Sequence, residues 1–120
     1  MVPSQPLLVV TRIGFACAIA GTIWLSVVPV SELPPTASIS DVLSHFIGYA
    51  VLGAFAIASG LRPLTAFLLL VAFGALLEVV QGASGYRFFE FKDIAMNALG
   101  LIAGIASVVL ARRMIHGSWG

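Results

Sequence analysis

Residues 63–82 read PLTAFLLLVAFGALLEVVQG, and this stretch decides the fold. From Leu64 to Val80 its only charged residue is Glu78. About 20 mostly apolar residues are what an α-helix needs to cross a bilayer. Pro63 suits the first helical position, and Gly60 before it suits the end of a preceding helix. The pattern predicts a spanning helix over 64–81. The rest of the chain agrees: its 120 residues are 60% hydrophobic and 9% charged, with mean hydropathy +1.09. A soluble domain carries roughly 25% charged residues. Too little polar surface remains here to cover a water-soluble core, so lipid is the expected solvent. At this length a single domain, 1–120, is expected.

Working outward, three further spans are expected. The first runs over 7–28, with Arg12 near enough to its end to snorkel. Ala18-Ile19-Ala20-Gly21 resembles a signal-peptidase site, but the apolar run continues to Val30, which favours an uncleaved span over a cleaved signal. Pro29 and Pro34-Pro35 enforce an extended connection. Ser38, Ser40 and Asp41 offer N-caps for a second span over 41–59. Gly82 to Gly85 read as a turn, and Tyr86, Phe88, Phe89 and Phe91 as an interfacial aromatic belt. A fourth span over 92–111 closes at Arg112 and Arg113, leaving His116 as tail. The predicted fold is an all-α integral membrane bundle of four transmembrane helices with short loops.

Arginine and lysine set the expected orientation. With both termini inside, the inner ends carry Arg12, Arg62, Arg112 and Arg113, and the outer loops carry Arg87 and Lys92. Positive charge collects on the cytoplasmic side, so an N-in, C-in arrangement in the cytoplasmic (inner) membrane is expected. Gly100 and Gly104 form a GxxxG pair, with Gly74 and Ala75 playing a similar part, and are expected to pack helices within one chain rather than between copies. Cys17 and Trp24 read as packing and interface residues. The net charge of +1 leaves no basic stripe for a nucleic-acid partner.

The few polar residues are spaced to converge. Asp41, His45 and Tyr49 recur every four residues, Glu78 and Gln81 are three apart, and Asp93 and Asn97 are four apart with Gly100 continuing their face. Each set shares one side of its helix, the first reaching about 12 Å inward at 1.5 Å per residue. Antiparallel neighbours bring the start of the second and fourth spans level with the end of the third, at the extracytoplasmic side. Singly, Asp41 and Asp93 read as helix-start carboxylates held by the macrodipole, His45 as a hydrogen-bonded packing residue, Gln81, Asn97 and Tyr49 as interhelical bridges, and Arg87 and Lys92 as lipid-phosphate or water contacts. Glu78 is different: a carboxylate entering from an apolar run must find a partner or take up a proton. Ionisable groups in hydrocarbon are costly, and their convergence reads as a functional pocket.

Together, Asp41-Val42-Leu43-Ser44-His45-Phe46-Ile47-Gly48-Tyr49, Glu78-Val79-Val80-Gln81, Arg87 and Asp93-Ile94-Ala95-Met96-Asn97-Ala98-Leu99-Gly100 resemble the VanZ-like membrane proteins. The pattern is D-x3-H-F-x2-Y, E-x2-Q, an arginine and D-[IL]-x2-N-x2-G, covering about Asp41 to Gly104. The resemblance implies a small bacterial helical membrane protein. It also implies an association with resistance to teicoplanin-like lipoglycopeptide antibiotics, which act at the outer face on cell-wall precursors; it implies no reaction.

Three functions compete. The first is binding or remodelling of a cell-envelope amphiphile (a lipid-linked wall precursor, a phospholipid or a lipoglycopeptide), with Arg87 and Lys92 engaging its anionic head and the aromatic belt its chain. The second is a membrane-embedded hydrolase or transferase. There His45 is general base or nucleophile, Glu78 proton donor, Asp93 orienting carboxylate and Arg87 a clamp, with a divalent metal on Asp41, His45, Glu78 and Asp93 as a variant. The third, a transporter, has little room in four short spans without broken helices. The first is the expected reading, with catalysis left open.

Overall fold

The computed structural model describes residues 4–27, 41–84 and 91–116, with the side chains of Asp41 and Val42 outside the description. Four helices follow in order: α1 (Gln5–Val27), α2 (Asp41–Ala58), α3 (Pro63–Ala83) and α4 (Phe91–His116). Arg87, the prolines of the first connection, the caps at Ser38 and Ser40, and the aromatic residues Tyr86, Phe88 and Phe89 lie outside the described residues.

The chain is an all-helical membrane bundle. Helices α1, α3 and α4 are long and apolar enough to cross a bilayer. The second expected span, 41–59, corresponds to α2, Asp41–Ala58. At 1.5 Å per residue, its 18 residues extend about 27 Å, close to the thickness of the hydrocarbon layer. Helix α2 is the centre of the bundle, supplying the buried Tyr49, Leu52, Ala56 and Ile57. The outward faces are apolar, with Leu68, Leu69 and Leu76 of α3 each more than half exposed, as a lipid-facing surface requires. Helix α1 is peripheral and buries no residue. Cys17, expected to pack, is exposed on it.

Small residues fix the crossing of α2 and α4. A Cβ at Gly100 would collide with the Phe46 carbonyl oxygen, and one at Gly104 with that of Ala50. From the other side, a Cβ at Gly53 would lie 3.0 Å from the Leu101 carbonyl oxygen. The two backbones touch along a parallel seam, which places the GxxxG pair inside the chain. Pairing of Gly14 with Phe55 sets α1 antiparallel to α2, and pairing of Gly74 with Tyr49 and Asn97 sets α3 antiparallel to both. The topology is up-down-up-down.

Two helix ends differ from expectation. The turn after Gln81 begins at Ser84, because α3 continues through Gly82 and Ala83 and is capped by backbone bonds from Ser84 N–H to Gln81 and Val80. Helix α4 runs past Arg113 to His116, and the Arg113 guanidinium stands in the last turn, where it favours the negative end of the helix dipole. The α2–α3 corner is as expected: Gly60 adopts φ +108, and Pro63 opens α3.

Arg12 does more than snorkel. Its Nε donates to the Ser59 carbonyl at 3.1 Å, capping the C-terminal end of α2. Beside it the Thr11 hydroxyl donates to Ala58 O at 3.2 Å, and the Ser59 hydroxyl donates back to Thr11 O at 3.1 Å. This polar seam fastens α1 to α2 at the end opposite His45. Arg12→Gln is expected to lower stability by about 1 kcal/mol, the scale of one net hydrogen bond. Thermal unfolding in detergent measures it, and an unchanged midpoint would show the seam to be incidental.

Candidate functional site

The buried stripe of α3 is Ala66, Leu70, Gly74, Leu77, Glu78 and Gln81. That spacing is one face of a helix, so Glu78 looks into the bundle and not into lipid. The buried stripe of α4 begins with Asp93 and Asn97 and continues through Gly100, Leu101, Gly104 and Ile105. Both stripes are apolar along most of their length and turn polar at the same end of the bundle. There α2 contributes His45 and, one turn deeper, Tyr49.

Convergence is close. One ligand atom from each of His45, Glu78 and Asp93 lies within 4.8 Å of the others. Glu78 is 1% exposed, Asn97 2% and Asp93 7%. Tyr49 and Gln81 are buried as well. The His45 side chain is 22% exposed, so the imidazole is the part of the cluster that reaches the surface. Asp93 stands in the first turn of α4, where the helix dipole favours its charge.

The hydrogen bonds define the ring. His45 Nδ1 lies 2.7 Å from Asn97 Oδ1. An amide oxygen only accepts, so Nδ1 carries the proton and donates. His45 Nε2 then faces Asp93 Oδ2 at 3.6 Å, close enough for electrostatic attraction but too long for a hydrogen bond. Asn97, not Asp93, therefore occupies the ring-orienting position that the sequence suggested for the carboxylate. Asp93 instead stands across from the free edge of the imidazole. Its second oxygen, Oδ1, is the one buried side-chain polar atom among the described residues that lacks a hydrogen-bond partner.

Gly74 has a role that its spacing alone did not disclose. A Cβ there would lie 2.8 Å from Asn97 Nδ2 and 3.0 Å from the Tyr49 hydroxyl. The missing side chain forms a socket for the amide that holds His45. The clue lay in the sequence, since Gly74 sits four residues before Glu78 on the same face.

Of the nine expected site residues, the structure brings His45, Glu78, Asp93 and Asn97 into one cluster, with Tyr49 packed beneath and Gln81 buried one turn on from Glu78. Lys92 is exposed at the start of α4, beside Asp93 in sequence but outside the buried group. The Asp41 side chain and Arg87 lie outside the described residues; of the metal set expected from the sequence, the three described members, His45, Glu78 and Asp93, come together. No family model matches this chain, and no curated protein or solved structure is significantly similar to it.

Chemically, the cluster pairs a tautomer-fixed imidazole with two buried carboxylates. It has the parts of an acid–base centre and of a cation site, held on rigid helices in a low-dielectric interior.

Proposed function

We propose that this chain is a VanZ-like protein of the bacterial cytoplasmic membrane. In this reading it binds or remodels an amphiphile of the cell envelope through the His45–Glu78–Asp93–Asn97 pocket. The observation that carries the reading is the burial of two carboxylates and an amide on helix stripes that are otherwise apolar. Apolar replacements of similar volume would often be more stable at such positions, so polar groups kept there speak for a task beyond folding. The partly exposed His45 gives a ligand at the bundle end an approach to the buried acids.

The distribution of arginine and lysine supports an extracytoplasmic opening for the pocket. An anionic head group would meet Lys92 and Arg87 at the rim, and apolar chains would lie against the exposed leucines of α3. Lipid-linked wall precursors, phospholipids and teicoplanin-like lipoglycopeptides share that chemistry, and the resemblance to VanZ-like proteins favours this group of ligands.

A second reading is favoured by one geometry. His45 Nε2 faces a carboxylate while its Nδ1 is held by Asn97, an arrangement suited to proton transfer in a membrane-embedded hydrolase or transferase. Here His45 would act as base or nucleophile and Glu78 as proton donor toward a phosphorylated or glycosylated lipid.

The test is photocrosslinking in proteoliposomes with a lipid carrying a photoreactive acyl chain. Labelling is expected in the peptide spanning residues 86–92. Labelling confined to the Arg62 end of the bundle would refute the placement of the pocket. Release of phosphate or sugar from a lipid-linked substrate by the same preparation would move the conclusion to the catalytic reading.

A further inference from the structure

We infer that His45, Glu78 and Asp93 bind a divalent transition-metal cation of the zinc or manganese kind. The inference concerns the cluster itself and goes beyond the amphiphile reading, which stands or falls separately.

Three observations meet at this point. The first is spacing. His45 Nε2 and Asp93 Oδ2 are 3.6 Å apart, and all three ligand atoms lie within 4.8 Å of one another. Ligands about 2.0–2.2 Å from a tetrahedral zinc ion stand roughly 3.4 Å from each other. The His45–Asp93 pair is thus poor as a hydrogen bond and close to the edge of a coordination polyhedron. The pairs that involve Glu78, at most 4.8 Å apart, must draw in by up to about 1.4 Å.

The second is the tautomer. Asn97 Oδ1 accepts the Nδ1 proton, so Nε2 is the ring nitrogen that faces the carboxylate. A metal-bound imidazole characteristically donates its other N–H to a neighbouring oxygen, and Asn97 supplies that partner.

The third is Asp93 Oδ1, buried and without a hydrogen-bond partner in a residue 7% exposed. A buried carboxylate oxygen with no donor is the atom an ion would satisfy, by a bidentate or bridging contact. Charge agrees in kind: two carboxyl groups and an imidazole are the donor set that a divalent cation takes. One nitrogen and carboxylate oxygens match zinc and manganese better than calcium or copper(I). Three protein ligands leave a coordination position open, on the side where His45 reaches the surface.

Purified protein stripped with a chelator and dialysed against Zn2+ or Mn2+ tests the inference, with bound metal counted by mass spectrometry and affinity measured by calorimetry. One metal ion per chain is expected, with binding at least about tenfold weaker in His45→Ala, Glu78→Gln and Asp93→Asn. Affinity should also fall at acidic pH, because ligands must shed protons to bind. Size-exclusion chromatography and circular dichroism show whether each variant keeps its helices. Should the variants fail to fold, Co2+ loaded into the unaltered protein decides. A visible spectrum of low-symmetry cobalt with nitrogen and oxygen donors supports the site, and an aqueous-ion spectrum overturns it. Unaltered protein with no metal above the buffer blank overturns it too, as does full binding in folded variants. Lipid labelling that persists in metal-free protein would leave the amphiphile reading intact.

Discussion

Gly104→Val is expected to prevent the bundle from assembling. A Cβ at this position would overlap the Ala50 carbonyl oxygen and lie 2.7 Å from the Ala50 carbonyl carbon. The atoms in the way are backbone, so no rotamer change relieves the clash. Overpacking costs about 1–3 kcal/mol where side chains can yield, and the cost here should exceed 3 kcal/mol because a whole helix must move. Separation of α2 from α4 would also pull His45 from Asn97, since both contacts lie on one seam. The matched control is Gly48→Ala on α2, where an added Cβ meets nothing within 4 Å. That variant should be as stable as the parent, or more stable by up to about 1 kcal/mol, the helix-propensity difference between alanine and glycine. Yield of monodisperse protein and its thermal midpoint in detergent are the measurements. A folded Gly104→Val protein with an unchanged midpoint would show the seam to be wrongly placed.

Asp93→Asn should separate function from stability. The change keeps the side chain's shape and removes its charge in a residue 7% exposed. If Asp93 is kept for chemistry, neutralising it leaves the thermal midpoint unchanged or raised, because a buried carboxylate is costly to hold. Lipid labelling per folded molecule should at the same time fall at least tenfold, about 1.4 kcal/mol. A structural ion pair behaves in the opposite way. Removing one partner of such a pair costs about 3–5 kcal/mol while whatever folds keeps its activity. The two outcomes differ in sign on both axes, so one variant distinguishes a functional cluster from a polar network that merely joins helices. Asn97→Leu complements it by freeing the imidazole of its holder without touching either carboxylate.

Much of this is legible in the sequence. Long apolar runs broken by Gly60 and Pro63 identify the helices, because a membrane span has a minimum length and few permitted interruptions. Spacings of three and four put Glu78 with Gln81 and Asp93 with Asn97 on single faces, and antiparallel order brought those faces level. What the spacing could not disclose depends on rotation and register between helices. Which neighbour holds His45, why Gly74 must lack a side chain, and where Arg12 sends its donor are each decided by a partner dozens of residues away. Helix ends were the other weak point: neither Gly82 nor Arg113 stops its helix, because each has continuing intrahelical bonds that outweigh local preference.

The seam joining Thr11, Arg12 and Ser59 bears on how the protein is made. His45 and Asn97 are 52 residues apart, and ribosomes add about 5–20 residues per second, so α2 waits some seconds in the bilayer before α4 emerges. During that interval the helical hairpin of α1 and α2 can already be laced at the end opposite His45 by donors that both helices carry. A nascent chain so fastened presents its unfinished polar edge in one fixed direction, and α4 arrives at a dock that has been built in advance.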